Sequence, residues 1–217
     1  MSFPQPSSRP APDGALIGLL SALGCFSFWG LFPIYFKLLA HVPALEVLAH
    51  RILGSAVLLL AMILAQQQWP ALRDEFRNHR RLGFYLLTAL LISGNWLLYI
   101  WAVQQGRILE ASLGYYINPL VNVLLGVLVL RERLRRAQWL AVVLAAAGVL
   151  WLTLHTGRLP WIALALACSF GLYGLMRKTA PLGAIEGFAL ETMLLAPVVV
   201  PALAWWTFAR HGVLAQG

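Results

Sequence analysis

The sequence predicts an all-α fold, a polytopic bundle of transmembrane helices, on three observations. Of its 217 residues, 60% are hydrophobic and only 11% charged, with a mean hydropathy of +0.76. An ordinary soluble domain is about one quarter charged, so a soluble core could not absorb this apolar excess. The apolar residues fall into seven long runs, each near the ~20 residues that carry a helix across ~30 Å of hydrocarbon. The runs lack the period-two alternation of barrel strands, which leaves helices as the spanning element.

Residues 1–14 are rich in Pro and Ser and carry only Arg9 and Asp13 as charges, the composition of a disordered cytoplasmic tail. The first apolar run, 15–39, is too long for the core of a cleavable signal, so it reads as a retained helix. Residues 44–65 form the second. An Arg-rich stretch leads to the third, 82–104, and a short link to the fourth, 109–130. The fifth and sixth, 137–154 and 160–176, are the shortest, and the seventh covers 184–209. Trp69, Trp139, Trp161, Trp205 and Trp206 fall near the expected boundaries, where an amphipathic ring favours the membrane interface.

The net charge of +8 and pI near 10.2 do not indicate nucleic acid. The basic residues sit in short runs between apolar segments, where they orient helices. One side collects Arg9, Arg73, Arg77, Arg80, Arg81, Arg131, Arg133, Arg135, Arg136, Arg177 and Lys178. The other has Lys37, Arg107, Arg158 and Arg210, so the N-terminus is expected in the cytoplasm and the end of the seventh helix outside. The two cysteines, Cys25 and Cys168, lie within apolar runs and read as packing residues, with no disulfide framework, metal site or cofactor implied.

An internal repeat is visible. Residues 25–31 (Cys-Phe-Ser-Phe-Trp-Gly-Leu) match 169–175 (Ser-Phe-Gly-Leu-Tyr-Gly-Leu), and Ala44-Leu45-Glu46 matches Ala184-Ile185-Glu186. Five helices separate the copies, and an odd number of crossings inverts the second copy. This is the arithmetic of a five-plus-five inverted repeat, of which these are the first seven helices. The first repeat occupies 15–154; the second starts at 160 and stops short by about three helices, as in a truncated chain.

Ionisable and polar groups inside helices are the functional candidates. Arg51 lies about 10 Å into the second helix; it reads either as a substrate or gating contact or as a side chain snorkelling to the interface. Glu46 and His50 are one turn apart and can face each other. Glu46 and Glu186 also read as first-turn carboxylates favoured by a helix N-terminus. Glu191, equivalent to Arg51 in the repeat, is a candidate for proton coupling, as is His50. The inversion places Arg51 and Glu191 about 10 Å apart along the membrane normal, which favours two sites on one pathway over a direct ion pair. The fourth helix carries Glu110, Ser112, Tyr115, Tyr116, Asn118, Pro119 and Asn122. Pro119 breaks the helix and frees a carbonyl one turn back, which is tolerated where the break is buried or lines a wet cavity. This helix therefore reads as substrate-facing, or as a kinked structural helix whose amides bond neighbours. Asn95, beside Trp96, joins either role. Small residues at intervals of four, Gly14, Gly18 and Ala22, and Ala141 with Ala145, read as packing faces.

The strings 92–103 (Ile-Ser-Gly-Asn-Trp-Leu-Leu-Tyr-Ile-Trp-Ala-Val), 109–120 (Leu-Glu-Ala-Ser-Leu-Gly-Tyr-Tyr-Ile-Asn-Pro-Leu) and Arg131-Glu132-Arg133-Leu134, with Ala49-His50-Arg51, resemble the RarD group of EamA-type permeases in the drug/metabolite transporter superfamily. The resemblance spans essentially the whole chain. It implies ten helices in two inverted five-helix repeats, and a multi-pass cytoplasmic-membrane permease exporting a small metabolite or drug, of the chloramphenicol-sensitivity type.

The expected function is therefore secondary transport, with the lipid bilayer and a small-molecule substrate as partners. The alternatives are a truncated, non-transporting membrane protein or a receptor-like bundle. An enzyme is not expected: nucleophile-elbow, zincin, Walker and dinucleotide fingerprints are all missing from the sequence. A homo-oligomer is one arrangement that would supply missing walls of a pathway.

Overall fold

The computed structural model describes residues 12–130, 135–157 and 159–208. Within them the order is α1 (Pro12–Leu38), α2 (Ala44–Ala65), α3 (Trp69–Phe76), α4 (His79–Gln104), α5 (Ile108–Leu130), α6 (Arg136–Thr156), α7 (Trp161–Lys178) and α8 (Ala184–Phe208), with no strand among the described residues. Each of the seven expected runs coincides with one helix to within a few residues. Of the eight, α1, α2, α4, α5, α6 and α8 are long and apolar enough to cross a membrane. The sixth run, α7, has 18 residues, ends on Arg177 and Lys178, and is not among these six. Its place is nonetheless interior, with Ile162, Ala163, Leu166, Ala167 and Gly171 buried.

Two details differ from expectation. The first helix begins at Pro12 rather than residue 15, with proline in the first turn, where its missing N–H is not needed. The Arg-rich stretch contains a short helix, α3, which sequence periodicity did not reveal in eight residues. It is anchored by Leu72, fully buried against Leu59, Ile63 and Ala189, and by Glu75, which accepts from Arg81 Nη1 at 2.6 Å. Of the orienting cations, Arg9, Arg131, Arg133, Arg158 and Arg210 lie outside the described residues.

The connections are tight. Gln104 Nε2 donates to the carbonyls of Leu39 (3.1 Å) and Val42 (3.0 Å), fastening the α1–α2 turn to the end of α4. The α4–α5 turn passes through Gly106 at φ +73°, a left-handed conformation that costs glycine nothing. In the bundle α4 is central and touches α1, α2, α3, α5, α7 and α8, while α5 packs along α7 and α2 along α8. The main core gathers Phe36, Val47, Ile52, Ile100, Val103, Ile162 and Leu166 from four helices. By contrast, the apolar windows of α1 and α6 bury no residue inside the protein. Large side chains in these windows, such as Leu31 (58%) and Trp151 (72%), are exposed, as suits surfaces facing lipid.

Candidate functional site

The α5–α7 and α4–α7 interfaces are built from small residues. A Cβ on Gly114 would stand 3.1 Å from the Ala163 carbonyl, and one on Gly171 would stand 2.8 Å from Val121 Cγ1, so both glycines permit close approach. Asn95 fixes the second interface: its Nδ2 donates to the Leu166 carbonyl (2.9 Å) and to Ser169 Oγ (2.8 Å). It is buried and turned to α7.

Around this frame α1, α4 and α5 present rings to one another. Trp29, Phe32 and Phe36 follow the three- and four-residue spacing of one helix face; Trp96 and Tyr99 are one turn apart on α4, and Tyr115 comes from α5. Edge-to-face contacts link Trp29 with Tyr115 (5.5 Å), Tyr99 with Tyr115 (5.6 Å), Trp96 with Tyr99 (5.7 Å) and Phe32 with Trp96 (6.0 Å). Such geometry sets positive ring edges against negative faces and adds about 0.5–1.5 kcal/mol per pair beyond burial.

These rings wall a chamber of about 540 Å³, to which α5 adds Ser112, Tyr116, Asn118 and Pro119. Asn118 Oδ1 is buried without a hydrogen-bond partner. Tyr116 stands at the rim, 79% exposed. Pro119 cannot donate to the carbonyl of Tyr115, so the chamber wall carries a backbone acceptor freed from the helix ladder.

Arg51 lies directly behind this wall. Its Cζ is 3.2 Å from the Trp96 ring centroid and 5.7 Å from that of Phe32. A desolvated cation–π contact of this kind contributes up to about 2 kcal/mol. The guanidinium forms no ion pair among the described residues, and its Nη1 is buried without a partner, an arrangement that costs on the order of 1–3 kcal/mol or more for a charged group.

Glu191 is 1% exposed and fully engaged. Thr88 Oγ1 donates to its Oε1 (2.8 Å), Tyr173 OH donates to its Oε2 (3.1 Å), and Arg177 Nε lies 3.9 Å from Oε1. Arg177 in turn donates to the Gly183 carbonyl (2.7 Å) and lies over Gly187, where any Cβ would collide with its guanidinium. Arg51 and Glu191 border one narrow pocket between α2 and α8, with room for about one water. Its walls are Leu48, Arg51, Ile52 and Ser55 facing Phe188, Glu191, Thr192 and Leu195, with α4 closing the side. Each α8 residue stands at the position that the Ala44–Ala184 register pairs with its α2 counterpart.

The structure thus gathers Tyr115, Tyr116, Asn118 and Pro119 in one chamber, with Arg51 adjoining. Asn95 and Asn122 lie elsewhere; Asn122 faces a separate pocket of about 230 Å³ with Gly171, Gly174 and Lys178. His50 is exposed, and its Nδ1 is 3.0 Å from the Glu46 carbonyl, so the contact between them runs to backbone rather than to carboxylate. Glu110 lies 4.0 Å from Arg107. Sequence reading missed Trp29, Phe32 and Tyr99 as walls, although their helical spacing marks them. It also took Arg177 for an orienting charge, and nothing in the sequence ties it to Glu191.

Six helices long and apolar enough to cross a membrane define a multi-pass membrane protein. Residues 16–154 match the EamA-like transporter family, and the chain belongs to that family. It is 47% identical over 199 residues to an uncharacterized transporter of Pseudomonas aeruginosa, covering 92% of this chain and 66% of that relative. It is 47% identical over 205 residues to protein RarD of Streptomyces exfoliatus (90% and 64%), and 34% identical over 192 residues to the chloramphenicol-sensitive protein RarD of Pseudomonas aeruginosa (87% and 64%). The RarD resemblance is borne out. The chain therefore spans 64–66% of the length of these relatives. No solved structure gives a significant match.

Proposed function

We propose that this chain forms part of a permease that exports a small metabolite or drug across the cytoplasmic membrane by secondary transport, and that the aromatic chamber is its substrate path. The observation that carries this reading is the chamber itself: about 540 Å³ of space among α1, α4, α5 and α7, walled by rings, with four hydroxyl-bearing side chains (Tyr99, Ser112, Tyr115 and Tyr116) and an asparagine at a helix break whose amide oxygen is unbonded. A bundle without a ligand to accommodate would be expected to fill such a space with side chains.

The facing of equivalent α2 and α8 positions across their shared pocket supports a five-plus-five inverted repeat, with residues 160–208 in the second copy. The lysine and arginine distribution supports a cytoplasmic N-terminus. The motif content supports a permease rather than an enzyme. Arg51, Tyr115 and Asn118 are the substrate or gating contacts in this reading, and Glu191, in its Thr88–Tyr173–Arg177 setting, is the coupling group.

The test is an untargeted comparison of metabolites in the medium, with cell-associated chloramphenicol measured in parallel, for cells expressing the full protein, Tyr115→Ala or Asn118→Ala. At least one compound is expected to be exported by the parent protein and to fall several-fold in both variants. Identical profiles for the parent, both variants and an empty vector would contradict the assignment.

A further inference from the structure

Beside the chamber lies a second pocket of about 340 Å³, walled by Phe32, Tyr35 and Phe36 of α1 and by Val47, His50 and Arg51 of α2. Phe32 is common to both spaces. The ionisable groups along this pocket are the Arg51 guanidinium, the His50 imidazole and the Tyr35 phenol, and no carboxylate is among its described walls. The acidic groups on neighbouring elements are otherwise placed. Glu46 is buried one turn before His50 and does not line the pocket; Glu110 lies beside Arg107; Glu191 is held by Thr88, Tyr173 and Arg177.

Arg51 is thus a cation with its π-face covered by Trp96 and its Nη1 buried and unbonded. Stacking on a ring uses the face of a guanidinium and leaves its N–H edge, the edge that matches a carboxylate in a two-pronged bond. A neutral ligand leaves the positive charge uncompensated, and an amine adds a second positive charge where water is scarce.

We propose that this pocket binds a carboxylate-bearing organic molecule, with the carboxylate on the Arg51 edge and a flat apolar body against Phe32 and Phe36. The proposal rests on reading the adjoining chamber as the substrate path, because a ligand held at Arg51 touches the wall the two spaces share. Tyr35 supplies a hydroxyl for a polar substituent. His50, whose Nδ1 faces the Glu46 carbonyl and therefore carries the proton, leaves Nε2 as the second ring nitrogen for the ligand.

The purified full protein in nanodiscs is titrated with three probes of one shape, phenylacetate, phenylacetamide and phenethylamine, and its melting temperature is followed. Phenylacetate is expected to stabilise at a concentration about tenfold or more below that needed for phenylacetamide, and phenethylamine to give no shift. Arg51→Gln is expected to bring the acid and the amide to the same concentration, and Arg51→Lys to retain a preference for the acid. A shift with phenethylamine equal to that with phenylacetate would overturn the proposal, as would an acid preference that survives Arg51→Gln. The charge series on the unmutated protein decides the question even where the Arg51→Gln protein does not fold. Equal stabilisation by all three probes removes the carboxylate assignment and leaves the chamber as a ligand site. Failure of the transport assignment shows separately, as unchanged metabolite profiles in Tyr115→Ala and Asn118→Ala.

Discussion

At the scale of single residues, two asparagines of successive long helices, Asn95 of α4 and Asn118 of α5, do different things. Asn95 spends its amide on α7, so Asn95→Ala should lower stability by about 1–2 kcal/mol in denaturant titrations in mixed micelles, as expected for an interhelical bond in a membrane. Asn118 has an unbonded oxygen in the chamber wall, so Asn118→Ala should leave the same titration within about 0.5 kcal/mol of the parent while impairing transport. Equal destabilisation by the two would remove the distinction. For the buried acid, Glu191→Ala should destabilise by about 3–5 kcal/mol, because it leaves Arg177, 13% exposed at its side chain, without its carboxylate. The double exchange Arg51→Glu with Glu191→Arg should fail to restore transport, since the acid's ionic partner is Arg177; full restoration would show a working bridge between the two. Of these roles, sequence could single out Arg51, Asn118 and Glu191 as polar groups misplaced in apolar runs. It could not tell Asn95 from Asn118, because their difference lies in which helix passes beside each.

The helices themselves were nearly all legible, because a continuous apolar run of this length has one physical outcome in lipid. The exception, α3, is too short to show a period, and its stability comes from Leu72 and Glu75 meeting partners from α2, α4 and α8, outside the helix itself. The closest pairing, α5 on α7, was not legible either, since it depends on Gly114 and Gly171, which sit singly rather than in a spaced motif. Gly171→Leu should drive α5 and α7 apart at Val121 and Leu125 and cost about 1–3 kcal/mol, measured by loss of the folded fraction in the same titration. Gly174→Ala should be near neutral, because the nearest atom to its Cβ, Asn122 Oδ1, is 4.0 Å away. A neutral Gly171→Leu would show that the two helices have room to spare.

Across the whole molecule the polar groups sort by position. Structural ones bond across the α4–α7 and α4–α8 seams, while Ser112, Tyr115, Tyr116 and Asn118 of α5 line the chamber. The sequence held the membrane class and the polar wall of the fourth run; the ring wall contributed by the first run emerges only once α1 is laid beside α4. The central claim is that this space admits a polar ligand from water. It is tested most directly by aqueous thiol labelling of single cysteines in a Cys25→Ser, Cys168→Ser background. The account predicts rapid labelling by a charged methanethiosulfonate at Ser112→Cys and Asn118→Cys, slowed by an exported compound, and none at Leu128→Cys, which is 75% exposed on the outer face of α5. Chamber cysteines as inert as Leu128→Cys would contradict it.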